Sequence, residues 1–223
     1  MAELSVAIPV AGLTSPASFG SRDAIKNVMK KGWDKYGKFF QFASKQSGIP
    51  VKALFAFATA ESTLNPTAGS GLTKGIMQAN YSYMKTQLEN EYKSNRLSDE
   101  EKAKLASYGI KFDSAGKTRE ITQADNLKPE LGILLGSIVL GQIVDQPWAK
   151  DGSNIRLDKV IVVYNTGLYS KWSKIAMNSK SKTASELVNE LAGNSVSQAY
   201  IRKIMGLNGI LDIASKELKD LIA

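Results

Sequence analysis

A chain of 223 residues, 43% hydrophobic and 22% charged, is long enough to bury a sizeable core, and that mixture excludes a wholly disordered or fibrous protein. With no His and no Cys, the sequence rules out Ser-His-Asp and Cys-His nucleophiles, His- or Cys-ligated zinc, disulfides and thiol redox chemistry. The net charge of +8 favours polyanionic partners, among them nucleic acid, anionic lipid and the acidic bacterial envelope. The basic residues are scattered. Their densest group, Lys171, Lys174, Lys180 and Lys182, reads equally as solvated surface or as a patch. The missing disulfides leave the compartment open, because a protein made in the cytoplasm and released later also lacks them.

Residues 1–20 are rich in Ala, Ser, Gly, Pro and Val without helical period and read as a flexible arm. Their apolar run Val6 to Leu13 is a poor export signal, since the preceding residues carry Glu3 and no Lys or Arg. The folded domain is expected over 21–223. Ile25, Val28, Met29, Trp33, Tyr36, Phe40 and Ala43 recur at helical spacing behind Ser21 as N-cap, and Gly48 ends that helix.

A second helix, Val51 to about Ser62, is apolar on nearly every face and must be buried. Its last turn delivers Glu61, and Asn65-Pro66 is expected to force the chain out of helix. A Gly- and Ser-rich loop follows, 67–75. Residues 81–107 read as two polar helices, the second started by a capping box at Ser98. Over 108–122 the alternation of Ile110, Phe112 and Ile121 around Ser114-Ala115-Gly116 predicts a short β-hairpin.

Helices resume at Gln123–Gln146, Leu157–Tyr164, Leu168–Met177, Ala184–Leu191, Ser197–Met205 and Ile210–Leu221. The apolar stretch Leu131 to Val144 is too short to span a bilayer; its glycines, Gly132, Gly136 and Gly141, suit close helix packing. The fold class is mainly α with one small β element, and no repeat is detectable.

Glu61 is the residue that asks for a reason. An uncompensated carboxylate at the end of an apolar helix costs several kcal/mol by order of magnitude. Two influences raise its pKa: desolvation by Phe55, Phe57 and Leu64, and the partial negative charge at the helix C-terminus. A carboxyl still protonated near neutral pH suits general-acid cleavage of a glycosidic bond. The bland alternative is a frayed helix end pointing into water.

Around Glu61 the order of residues is telling: Glu61-Ser62, then Asn65-Pro66, Ser70, and Gly75-Ile76-Met77-Gln78. This pattern resembles the soluble lytic transglycosylase family of the lysozyme superfamily, with Ile76 in place of the family's Leu and a loop one residue shorter. Val163-Tyr164-Asn165-Thr166-Gly167 is similar to a second motif of that family, and Tyr200 stands where the family has a Tyr near its C-terminal end. Gly132 occupies the position of the usual Asn. The likeness covers about 36–205, with 79–130 lying outside it as an insertion.

The resemblance implies an α+β lysozyme-like fold with a substrate groove and cleavage of the β-1,4 bond between N-acetylmuramic acid and N-acetylglucosamine; the lack of a convincing export signal on a wall-degrading enzyme points to a bacteriophage origin. Glu61 would act as both acid and base, yielding a 1,6-anhydro product. Ser70 and Gln78 would bind sugar or acetamido groups. Tyr164 would stand beside Glu61 with Tyr200 on the far wall. Met77 would form an apolar floor, Gly75 would permit close backbone approach, and Ser62, Asn65 and Asn165 would be structural, Asn165 holding a turn. No cofactor or metal is implied. The expected partners are peptidoglycan strands and the anionic envelope, with nucleic acid disfavoured and the chain a monomer. Made in the cytoplasm without a convincing signal, it would reach the periplasm or wall through a holin or as part of a virion.

Two rivals stay open. In a lysozyme-type hydrolase, Asp113, Glu120 or Asp125 would activate water opposite Glu61. In an inactive basic virion component, the fold would serve structure or nucleic-acid binding, which the charge motivates.

Overall fold

The computed structural model describes residues 10–220 and 222. Ser21 caps the first helix, α1 (Arg22–Ser47), by accepting from the Ala24 amide, and Gly48 closes it in the left-handed conformation. Its apolar stripe packs on α2 (Val51–Ser62), where Phe55 meets Trp33 and Phe40 edge to face, with ring centroids 5.3 and 5.2 Å apart. α2 leaves helix at Thr63 and Leu64, both left-handed, ahead of the Asn65-Pro66 pair expected to end it. Leu64 is thereby turned onto Gly32 of α1.

A two-stranded antiparallel hairpin follows, β1 (Gly69–Ser70) with β2 (Thr73–Lys74). Then come α3 (Met84–Lys93), α4 (Asp99–Ser107) with the expected capping box of Ser98 and Glu101, and α5 (Gln123–Asn126). The apolar α6 (Pro129–Val144) is separated from α5, so the single helix expected over 123–146 is two. Pro129 at the first position has no N–H to donate and holds Lys128 extended. A second hairpin, β3 (Lys150–Asp151) with β4 (Asn154–Ile155), leads into the closing helices. These are α7 (Leu157–Thr166), α8 (Lys171–Asn178), α9 (Ala184–Glu190), α10 (Ser195–Met205) and α11 (Ile210–Glu217).

The molecule is a mainly α-helical domain with small antiparallel β elements and no closed barrel. The hairpin expected over 108–122 is absent; both hairpins lie elsewhere. Ile110, Phe112 and Ile121 do turn inward, Phe112 stacking on Tyr92 at 4.4 Å. Their backbone is held by side chains in place of a ladder: Thr118 N donates to Glu89, the Arg119 guanidinium to the Tyr108 and Gly109 carbonyls, and Ala115 N and Lys117 N to Asp113. Alternation reported burial, not pairing.

α6 has apolar neighbours on both sides. Ile133, Leu140 and Val144 face the main core with α1, α2, α7, α10 and α11, while Leu131, Leu134, Leu135 and Ile138 join a second cluster with Met84, Leu88, Leu105 and Ile110. The segment 79–130 thus has an apolar cluster of its own, built on α6. Gly132 and Gly136 do serve close packing: a Cβ would overlap the Asn126 carbonyl at the first and the Met77 side chain at the second. Gly141 has nothing within 4 Å of such a Cβ.

Of the expected arm, residues 1–9, and with them the start of the run at Val6, lie outside the described residues. Residues 10–20 are no free arm, because they run along the C-terminal end of α10. Thr14 bridges Leu207 in parallel, Leu207 N donates to Leu13 O, and the Leu13 side chain is 3% exposed. No helix among the described residues is long and apolar enough to cross a membrane.

Candidate active site

Glu61 sits in the last turn of α2, partly buried, where α10 packs against α2 and α7 reaches it through Tyr164. Four residues earlier on the same helical face, Phe57 packs against Tyr164 of α7, with ring centroids 5.1 Å apart. Tyr164 donates its hydroxyl to the Met77 carbonyl at 2.7 Å, which ties α7 to the segment after the first hairpin. Across from it Tyr200 of α10, 9% exposed, brings a buried hydroxyl to Glu61. The two are close enough for Tyr200 to favour the carboxylate, yet their geometry falls short of a closed hydrogen bond.

Burial pushes the Glu61 carboxyl up from 4.5 to about 7, against the smaller, opposing pulls of Tyr200 and of the Lys203 ammonium. The lining differs from expectation. Phe55 and Leu64 face α1, so Phe57 alone of the three shares the Glu61 face, and tyrosines from α7 and α10 complete the enclosure. Both phenols are raised well above their ordinary range, first by burial and then by the nearby carboxylate, so they remain proton donors.

The loop beside Glu61 is held from within. Ser62 donates to the Ala58 and Ile76 carbonyls, pinning the end of α2 to the segment that carries Met77. Asn65 accepts from the Thr67 amide and hydroxyl, forming an exposed turn. Gln78, left-handed at φ 52°, donates its amide to the Ala68 and Gly75 carbonyls, so this nitrogen braces the hairpin from below. Three of the five non-glycine residues with positive φ among the described residues, Thr63, Leu64 and Gln78, flank this loop, a concentration of backbone strain common at functional sites.

Gly75 has φ 88°, and a Cβ there would overlap the Asn126 carbonyl, so the backbone that approaches it is the chain's own. Met77 is 1% exposed and packs on Gly136 beneath the loop. Ser70 lies exposed on β1. Asn165 does not hold the turn after Tyr164: it is helical within α7, and Gly167, at φ 78°, makes the turn.

The structure therefore brings Glu61, Tyr164, Tyr200, Met77 and Gln78 into one region through α2, α7, α10 and the 75–78 segment. The other three carboxylates weighed as water activators are engaged elsewhere. Asp113 caps its own turn and Glu120 pairs with Lys85 on the surface. Asp125 is buried, which raises its pKa, but the Arg119 fork and Thr122 hold it well below the usual carboxylate range.

Lys203 is the residue that sequence reading missed. One helical turn beyond Tyr200, it shares that residue's face of α10, and this i, i+3 spacing was the available signal. Two surface cavities, of about 540 and 490 Å³, lie away from Glu61. One is lined by Lys171, Lys174, Ile175 and Asn178, the other by residues that include Val10, Arg156 and Thr183. Among the described residues, no group of three or more acidic side chains is placed to hold a metal ion. No family model matches the chain, and no curated protein matches it in sequence.

Proposed function

We propose that this protein is a lytic transglycosylase that cleaves the β-1,4 bond between N-acetylmuramic acid and N-acetylglucosamine in peptidoglycan, with Glu61 as acid and base. The observation that carries the reading is the desolvated Glu61 carboxyl, pushed up to about 7 and enclosed by two protonated phenols, with no second carboxylate among the described residues acting on it. The ordered likeness of Glu61-Ser62, Asn65-Pro66, Gly75 to Gln78 and Tyr164 to Gly167 to the transglycosylase motifs supports the choice of substrate.

The chemistry suits one carboxyl. Protonated Glu61 gives its proton to the glycosidic oxygen as the bond to C1 breaks. The resulting carboxylate then takes the proton of the muramic C6 hydroxyl while O6 closes on C1, which restores the acid and forms the 1,6-anhydro ring. A hydrolase that inverts or retains configuration uses a second carboxylate, at roughly 6.5–9.5 or 5–5.5 Å respectively. Asp113, Glu120 and Asp125, the three weighed for that part, have other partners.

The net charge of +8 favours residence on the anionic wall and supports peptidoglycan as the proposed partner. Delivery through a holin or as part of a virion remains within the proposal. Glu61→Gln tests it on purified cell walls: turbidity clearing is expected from the parent and a loss of about 100-fold or more from the variant. Clearing by the variant at the parent rate would overturn the assignment. A parent that clears nothing while binding DNA in a salt-dependent way would favour the binding protein instead.

A further inference from the structure

Lys203 is the positive charge that acts on Glu61, and its surroundings are built. Nζ donates to the carbonyl of Ala60, the residue before Glu61, and lies 4.2 Å from the centroid of the Phe19 ring and 5.7 Å from that of Tyr200. Phe19 belongs to the segment that crosses α10, so the N-terminal strap of the described chain covers the ammonium. Burial lowers the Lys203 pKa and Glu61 partly restores it. Among the described residues, the titratable groups that face Glu61 are Tyr164 from α7 and Tyr200 and Lys203 from α10.

We propose that Lys203 is a positioning residue for the Glu61 site: its ammonium, held on the Ala60 carbonyl under Phe19, keeps a standing positive charge beside the acid and directs its hydrogen bond to backbone instead of to the carboxylate. The arrangement meets two opposed demands. A contact ion pair would keep Glu61 ionised at neutral pH and deny it the proton it must give. No cation at all would leave the carboxylate formed on proton transfer in a poorly solvated site with nothing to offset its charge, where it costs several kcal/mol by order of magnitude. A charge fixed on the neighbouring carbonyl stabilises the anion and leaves its oxygens free for the sugar. The cation–π contact with Phe19 shields the charge from water without neutralising it.

The proposal rests on the Glu61 reading, and its test is read on the protein alone. The side-chain carboxyl of Glu61 is titrated by 13C NMR in full-length protein with labelled glutamate, its signal assigned by absence from Glu61→Gln. Lys203→Met keeps the apolar stem without the charge, Lys203→Gln keeps an amide donor for Ala60 and serves where the methionine variant fails to fold, and Lys203→Arg keeps the charge. Both neutral variants are expected to raise the Glu61 midpoint by at least about half a pH unit, and arginine to leave it near the parent value. The alkaline limb of the cleavage profile should move with the midpoint. An unmoved midpoint in a folded neutral variant would overturn the role of Lys203. Since the titration needs no substrate, a chain that cleaves no peptidoglycan still decides that point, and the cleavage reading stands or falls separately on Glu61→Gln.

Discussion

Glu61 is held in a place where its ionised form is disfavoured, so the fold itself bears a cost that depends on pH. The carboxyl is pushed up to about 7 in the fold from an ordinary value of 4.5. Below the lower value both the folded and unfolded chains carry the proton and nothing is lost. As pH rises from about 4.5 to about 7 the unfolded chain ionises first, and stability falls until both forms are ionised. Glu61→Gln removes that loss. The variant should match the parent near pH 4 and exceed it above pH 7 by up to ~3 kcal/mol, seen as a melting-temperature gap that opens across that window. A gap that stays constant with pH would show that Glu61 is not desolvated.

At the scale of elements, α6 carries the sharpest contrast, because its glycines have different neighbours. A Cβ at Gly136 would overlap Met77, whose carbonyl receives the Tyr164 hydroxyl, whereas one at Gly141 meets open space. Gly136→Ala should therefore destabilise by about 1–3 kcal/mol and weaken any activity that depends on Tyr164. Gly141→Ala should stabilise by about 0.5–1 kcal/mol through helix propensity. Denaturant unfolding of the two variants checks both signs.

Sequence spacing revealed that α6 is buried and that its glycines could allow close packing, but not that only Gly132 and Gly136 do so while Gly141 does not, since that depends on partners elsewhere in the chain. The same limit explains the 108–122 segment. The pattern of Ile110, Phe112 and Ile121 correctly marks inward side chains. Nothing local announces that Glu89, Asp113 and Arg119 would satisfy the backbone in place of a second strand. Helix starts were legible where a side chain caps them, as at Ser21 and Ser98, whereas the break before α6 was missed although Pro129 carries its signal.

In the whole molecule, two apolar clusters share α6, and the segment 79–130 closes back on the candidate site through Asn126. That residue's carbonyl lies between Gly75 and Gly132, and its side-chain amide donates to the Ala79 carbonyl at 2.6 Å. The glycine at position 132, which departs from the motif, is thus matched to a feature of the insertion. Glu61, Tyr164, Met77 and Gln78 were legible because motif order places them. The duty of Gln78 as a brace, and the approach of Lys203 and Phe19, appear only when α10 and the N-terminal strap are docked.

One carboxyl serving as acid and then base has a chemical signature that two carboxylates do not share. The most direct measurement is mass spectrometry of purified peptidoglycan after incubation with the protein. Muramic ends about 18 mass units lighter than hydrolysis would leave, as 1,6-anhydro rings, are the result expected of Glu61 acting alone. Reducing muramic ends from the folded, active protein would contradict the account and require a second group that activates water.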